Sequence, residues 1–180
     1  MSTGTLVRVG AELLGLLVLC LMLRARGESL REVLALVPPR LSRLAVWVGA
    51  FIVLVAFEAV LKPLLGFPPV RPWSVSYDSA EVLWRLAGVV LVAPVAEELI
   101  FRGAAFTGLA RTSLGASGAI AVTAAIFAML HLQYGSGAMA FILVDALFYG
   151  LARAKTGTVL VPLVCHIIGN SYAAWERLVG

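Results

Sequence analysis

Charge is what this sequence has least of: 13% of its 180 residues are charged and 61% are hydrophobic, whereas an ordinary soluble domain is roughly a quarter charged. A soluble fold of this length has too little interior to hide so much apolar surface. Cysteine is scarce too. Cys20 and Cys165 fall inside apolar stretches, which excludes a disulfide framework and leaves each thiol a small hydrophobe. The chain has no internal repeat, no low-complexity segment and no His-Glu-x-x-His zinc-protease signature. Its net charge of +4 is carried by no basic tail or arm, so nucleic acid is not the expected partner. The basic residues sit at the ends of apolar stretches, where anionic lipid headgroups are.

What the chain does have is a succession of such stretches. A spanning helix needs roughly 20 mostly apolar residues, and segments of that kind predict an all-α, polytopic transmembrane helical bundle of about six spanning helices. We read 1–180 as a single integral membrane domain. The expected helices run over Leu6–Leu23, Leu44–Leu61, Val82–Arg102, Ser113–Leu132, Met139–Arg153 and Val159–Trp175. Arg8 and Glu12 sit in the first half of helix one, which places its N-terminal end in the interface. Arg24, Arg26 and Glu28 follow that helix where a signal-peptide cleavage site would need small residues, so it is expected to stay uncleaved.

Between Arg24 and Arg43 lie five arginines and the pair Pro38-Pro39. Leu30, Val33, Leu34 and Val37 share one helical face there, which predicts an interfacial amphipathic helix on the membrane surface. The segment from Pro63 to Tyr77 reads as an interfacial loop with an aromatic anchor. Under the six-helix arrangement nine basic residues, including Arg102 and Arg153, fall on one side and five on the other. The positive-inside rule then puts the first loop in the cytoplasm and both termini outside.

Ionisable groups within spanning helices are costly unless paired or facing a cavity, so each is a functional candidate. In helix three, Glu97 and Glu98 point about 100° apart around the axis, so their roles must differ. Glu98 and Arg102 are four apart with the acid first, the favoured order for an intrahelical ion pair, and the two read as a buried structural pair. Glu97 has Phe101 at that spacing and is the carboxylate expected to face a cavity. Pro94 removes a helical hydrogen bond just before the acidic pair and favours a kink. On helix four Phe127 and His131 share a face; on helix six His166 and Asn170 do. A lone membrane histidine is usually an interhelical hydrogen-bonder, but two histidines with a carboxylate and an amide point to chemistry. Glu58 and Asp145 read as helix–helix hydrogen-bonders. Cys165 neighbours His166 but points about 100° away, which argues against a cysteine nucleophile.

Three motifs stand in order: Glu97-Glu98-x-x-x-Arg102, Phe127-x-x-x-His131 and His166-x-x-x-Asn170. With the approach from Arg153 to Pro162, they make the region from Leu83 to Trp175 similar to the CPBP family, also called Abi, the intramembrane proteases of CAAX and bacteriocin processing. The chain is short beside the eight-helix members, which implies reduced N-terminal accessory helices. The resemblance implies a catalytic helical core over 82–175 and an intramembrane glutamate-type endopeptidase acting on a membrane-associated peptide or protein. It implies leader, sorting-signal or CAAX-type processing in a multi-pass membrane protein. It also implies that Glu97 with His131 activates the water and that His166 and Asn170 stabilise the oxyanion, with Phe127 packed beside them and Glu98 and Arg102 in support. The resemblance favours a metal-free site with no cofactor. Glu97, His131 and His166 also make a two-histidine, one-carboxylate set adequate for zinc, the alternative mechanism. A proton-coupled transporter would use similar groups, though no inverted repeat is visible. A non-catalytic membrane partner is the third reading. Twelve arginines against two lysines, in an Ala-, Gly- and Val-rich chain, point to a prokaryotic cell membrane.

Overall fold

The structure, a computed structural model, describes residues 3–179; the side chain of Arg8, expected at the interface, lies outside what it describes. The chain is all-α among the described residues. Helix α1 is Thr3–Ala25, α2 is the single turn Leu30–Val33 and α3 is Leu41–Leu64. A 3-10 turn at Trp73–Val75 precedes a continuous helical run over 79–110, called α4 here. Helices α5 (Gly115–Met129), α6 (Ser136–Thr156) and α7 (Leu160–Val179) complete the fold, with a 3-10 turn at Leu132–Tyr134 between α5 and α6.

The expectation of about six spanning helices does not hold. Among the described residues two helices are long and apolar enough to cross a membrane: α3, with a mean hydropathy of 2.5, and α6, at 1.5. The reasons differ from helix to helix. Helix α5 has 15 residues, and at about 1.5 Å per residue that falls short of a roughly 30 Å hydrocarbon core. The run α4 carries Glu81, Arg85, Glu97, Glu98 and Arg102 and is split by π-helical turns at Gly88–Val92 and Leu99–Ala105. Helix α7 holds His166, Asn170, Glu176 and Arg177. The charge count across the membrane loses its basis as well, because Arg102 and Arg153 are buried in the protein.

The segment after α1 is not an interfacial helix. Ser29 caps one turn, and then Val33, Leu34 and Ala35 sink into the protein beside Leu23, Leu99 and Ala104. Two backbone carbonyls of this segment are claimed from inside the protein. Thr107 Oγ1 donates to Val33 O at 2.9 Å and Val159 N to Ala35 O at 3.1 Å. Leu34 approaches Gly103 so closely that a Cβ there would meet it at 3.1 Å, so a larger residue at 103 would push the segment away. Of the four apolar residues on that face, Val33 and Leu34 are buried, Leu30 is half-buried and Val37 is exposed; periodicity does not distinguish such an interior use from a membrane surface.

Helix α4 also runs past the break expected at Gly103, to Ala110. The disturbance expected at Pro94 takes the form of a π turn. Ala93 N–H bonds back five residues to Gly88 O, and in that register Val89 O would be next, but residue 94 is proline and has no N–H. Helix α6 ends on Gly157, whose φ of 76° is a left-handed cap that glycine adopts without strain. Helices α4, α5, α6 and α7 pack on one another and hold the site; α1 lies along α4, and α3 against α7 and α6.

Candidate active site

The site is built from the acidic pair upward. Glu98 and Arg102 are fully buried, and Arg102 Nη1 donates to Glu98 Oε1 at 2.9 Å. A charge pair withdrawn so far from solvent is costly unless its other groups are satisfied; here Glu98 Oε2 and Arg102 Nε are buried without a hydrogen-bond partner among the described residues, and the remaining groups are held. Arg102 Nη2 donates to Ala146 O at 2.9 Å, and its guanidinium lies over the rings of Phe127 and Tyr149, at 4.7 and 5.2 Å. The backbone carbonyl of Arg102 is held in turn by Arg153 Nε, at 2.9 Å. Arg153 Nη2 reaches Thr107 Oγ1 at 3.2 Å.

Glu98 does more than the structural pairing expected of it. The same Oε1 lies 2.9 Å from His166 Nδ1. A carboxylate accepts, so Nδ1 carries a proton and the ring's orientation is fixed. Nε2 then points to Glu97, whose Oε2 is 3.6 Å away. Glu97 is the more accessible acid, its side chain 17% exposed against none of Glu98's. Adjacent residues therefore face opposite nitrogens of one imidazole, Glu98 hydrogen-bonded from the interior and Glu97 nearby on the more accessible side.

His131 is anchored in the same way by a different group. It lies just past the end of α5, at φ −109° and ψ 18°, where the helix has tightened into a 3-10 turn. Its Nδ1 sits 2.8 Å from Phe127 O. A carbonyl can only accept, so Nδ1–H donates and Nε2 is left as the ring's acceptor. Phe127 separates the two histidines: its ring centroid is 4.7 Å from that of His131 and 5.8 Å, edge-on, from that of His166. Phe101 meets Phe127 edge-on at 5.4 Å.

Asn170, one turn after His166, donates from Nδ2 to Val89 O at 2.8 Å. This is the carbonyl that Pro94 leaves without its π-helical donor, so the amide repairs the break and ties α7 to α4. One of its two amide hydrogens is used in this way. Among the described residues no three of His, Cys, Asp and Glu stand in an arrangement that could hold a metal ion.

Tyr149 was not singled out from the sequence. It is buried and stacked on His166, with centroids 4.9 Å apart and planes 19° from parallel. A Cβ on Gly169 would meet its hydroxyl at 3.2 Å. A signal for it existed: Asp145, Tyr149 and Arg153 recur every four residues and make one polar stripe on α6. Cys165 is buried beside Phe51 and Tyr149, with Sγ directed to Trp47 O at 3.9 Å, away from the acids. Glu58 is buried in α3 and pairs with Lys62 at 3.4 Å.

Residues 79–172 match the family described as type II CAAX prenyl endopeptidase Rce1-like. Over 162 residues the chain is 30% identical to YpbD, an uncharacterized protein of Bacillus subtilis strain 168, covering 83% of this chain and 77% of that one. No solved structure matches the chain. The family match takes in α4, α5, α6 and α7 as far as Tyr172, and with them the whole buried Glu–His cluster. The chain therefore belongs to the type II CAAX prenyl endopeptidase Rce1-like family, as a membrane-associated member.

Proposed function

We propose that this protein is a glutamate-type intramembrane endopeptidase that hydrolyses a peptide bond of a membrane-associated peptide or protein, with 82–175 as its catalytic core. The observation that carries the reading is the shared imidazole, with His166 Nδ1 on buried Glu98 and Nε2 facing the more accessible Glu97. A packing histidine has no need of a second carboxylate on its outer nitrogen. A hydrolytic centre uses such a poised pair of donor and base.

In the proposed reaction Glu97, helped by the acceptor Nε2 of His131, takes a proton from water as its oxygen attacks the scissile carbonyl carbon. His166, protonated on both nitrogens, donates from Nε2 to the oxyanion while Nδ1–H stays on Glu98. The second amide hydrogen of Asn170 gives the other oxyanion contact, and such donors act strongly because they are fixed before charge develops. Collapse of the tetrahedral intermediate breaks the C–N bond, and the proton held by Glu97 passes to the leaving amine. Arg102 keeps Glu98 in place, and through it His166.

The test is cleavage of membrane-peptide substrates by the detergent-purified protein, with and without a strong chelator, beside Glu97→Ala and His131→Ala. Cleavage that survives chelation and falls by about 10²-fold or more in both variants supports the proposal, a range typical of lost general-base assistance. Loss on chelation with recovery on zinc would replace the mechanism, and unchanged cleavage by Glu97→Ala would end it.

A further inference from the structure

A cavity of about 440 Å³ opens beside the C-terminal end of α1, and none of the catalytic candidates lines it. Its wall is apolar, including Met22, Leu23 and Val33, while Arg26, Glu28 and Arg111 stand around it. Arg26 and Glu28 approach to 4.0 Å with the arginine side chain 69% exposed, a pairing of little strength in water. Arg111, at the end of α4, is exposed, and among the described residues no carboxylate lies within ion-pair distance of it. The cavity therefore joins an oily wall to an excess of positive charge.

The surface leading to it is also apolar. Leu14, Leu17, Leu21 and Met22 are all more than half exposed and lie along one side of α1 at helical spacing. Met22 belongs both to this stripe and to the cavity wall. An acyl chain lying on α1 can thus continue into the cavity without crossing polar surface. Arg24 and Arg26 come where the apolar run of α1 ends, and basic residues beside apolar surface attract anionic headgroups.

We propose that this cavity binds an anionic phospholipid, with the phosphate between Arg26 and Arg111 and one acyl chain along Met22 and Leu23. A soluble phosphate gains nothing from the apolar wall. A zwitterionic lipid gains less from the arginines, each worth roughly fivefold next to an anionic headgroup. The site is separate from the proteolytic reading, and its test involves no peptide cleavage.

The protein is reconstituted in nanodiscs of phosphatidylglycerol and phosphatidylcholine with matched chains, released, and weighed by native mass spectrometry to count the lipid retained. Phosphatidylglycerol is expected to be kept over phosphatidylcholine by on the order of tenfold, with no displacement by excess inorganic phosphate. The double variant Arg26→Gln, Arg111→Gln should lose the preference. Gly108→Leu should reduce retention by filling the space, because residue 108 lines the cavity and a Cβ there meets no atom within 4 Å. Melting curves confirm that each variant is folded, and either variant suffices. Equal retention of the two lipids by the native protein, an undiminished preference in a folded variant, or displacement by inorganic phosphate would each overturn the proposal.

Discussion

Helix α3 and the helical run α4 are neighbours in sequence and opposites in construction. Helix α3 is the more hydropathic of the two candidate spans, yet it turns most of its apolar side chains outward: Val46, Val53, Phe57 and Val60 are all exposed. Run α4 carries charge along its length and turns the decisive part inward, with Glu98 and Arg102 fully buried. In a water-soluble protein the two would be reversed. The apolar helix leaves its side chains outside the protein and the charged one buries its pair within it, the arrangement a bilayer would demand of each.

Substitutions at matched places sharpen this contrast. The largest effect is expected at Arg102. Arg102→Met leaves Glu98 buried beside His166 without its counter-charge, and removing one partner of a buried pair costs about 3–5 kcal/mol. Denaturation in mixed detergent should show this, and a loss below about 1 kcal/mol would mean that the pair is solvated. Next comes Asn170→Leu, which strips one donor from the proposed oxyanion site and leaves Val89 O unsatisfied. Turnover should fall by about 10²–10³-fold with KM little changed.

On α3 the contrast is tested by changing chemistry at constant exposure. Val53→Lys should lower membrane insertion by about 2.5–3.5 kcal/mol, read in a translocon glycosylation assay, whereas a helix facing water would accept it. Tyr149→Leu removes the ring stacked on His166 and should lower turnover by about 10-fold, since such ring pairs are worth about 0.5–1.5 kcal/mol. Tyr149→Phe keeps the ring and should restore it, and equal loss in both would shift the role to the hydroxyl. The smallest effect is Val53→Leu, an exchange of apolar surfaces that should change stability by less than about 0.5 kcal/mol.

The helical class and the ion pair of Glu98 with Arg102 were legible because each rests on local information. Four-residue spacing put Glu98 with Arg102 and His166 with Asn170 before any tertiary contact was known. The number of spanning helices was not legible, since hydropathy reports that a segment avoids water and not whether lipid or protein replaces it. Val33 and Leu34, and Ala124, Phe127 and Ala128 of the short helix α5, show this: all are apolar, and all are buried within the protein. The second task of Glu98 was hidden for another reason. Its contact with His166 joins residues 68 positions apart, and spacing within one helix says nothing of it. The stripe Asp145, Tyr149 and Arg153 was in plain sight but lacked a motif to mark it.

The two π turns of α4 make it a screw with two slipped threads. Each π turn accommodates an additional residue, and one residue corresponds to about 100° of rotation, so the phase of Ala93–Glu98 is independent of a regular count from either end of the run. The acidic pair is therefore clocked by Gly88–Val92 on one side and Leu99–Ala105 on the other. An insertion or deletion of a single residue in either turn leaves the composition and the motif intact while rotating the carboxylates relative to one of their flanks. In this fold the length of two irregular turns, as much as the identity of Glu97 and Glu98, decides which acid meets which nitrogen of His166.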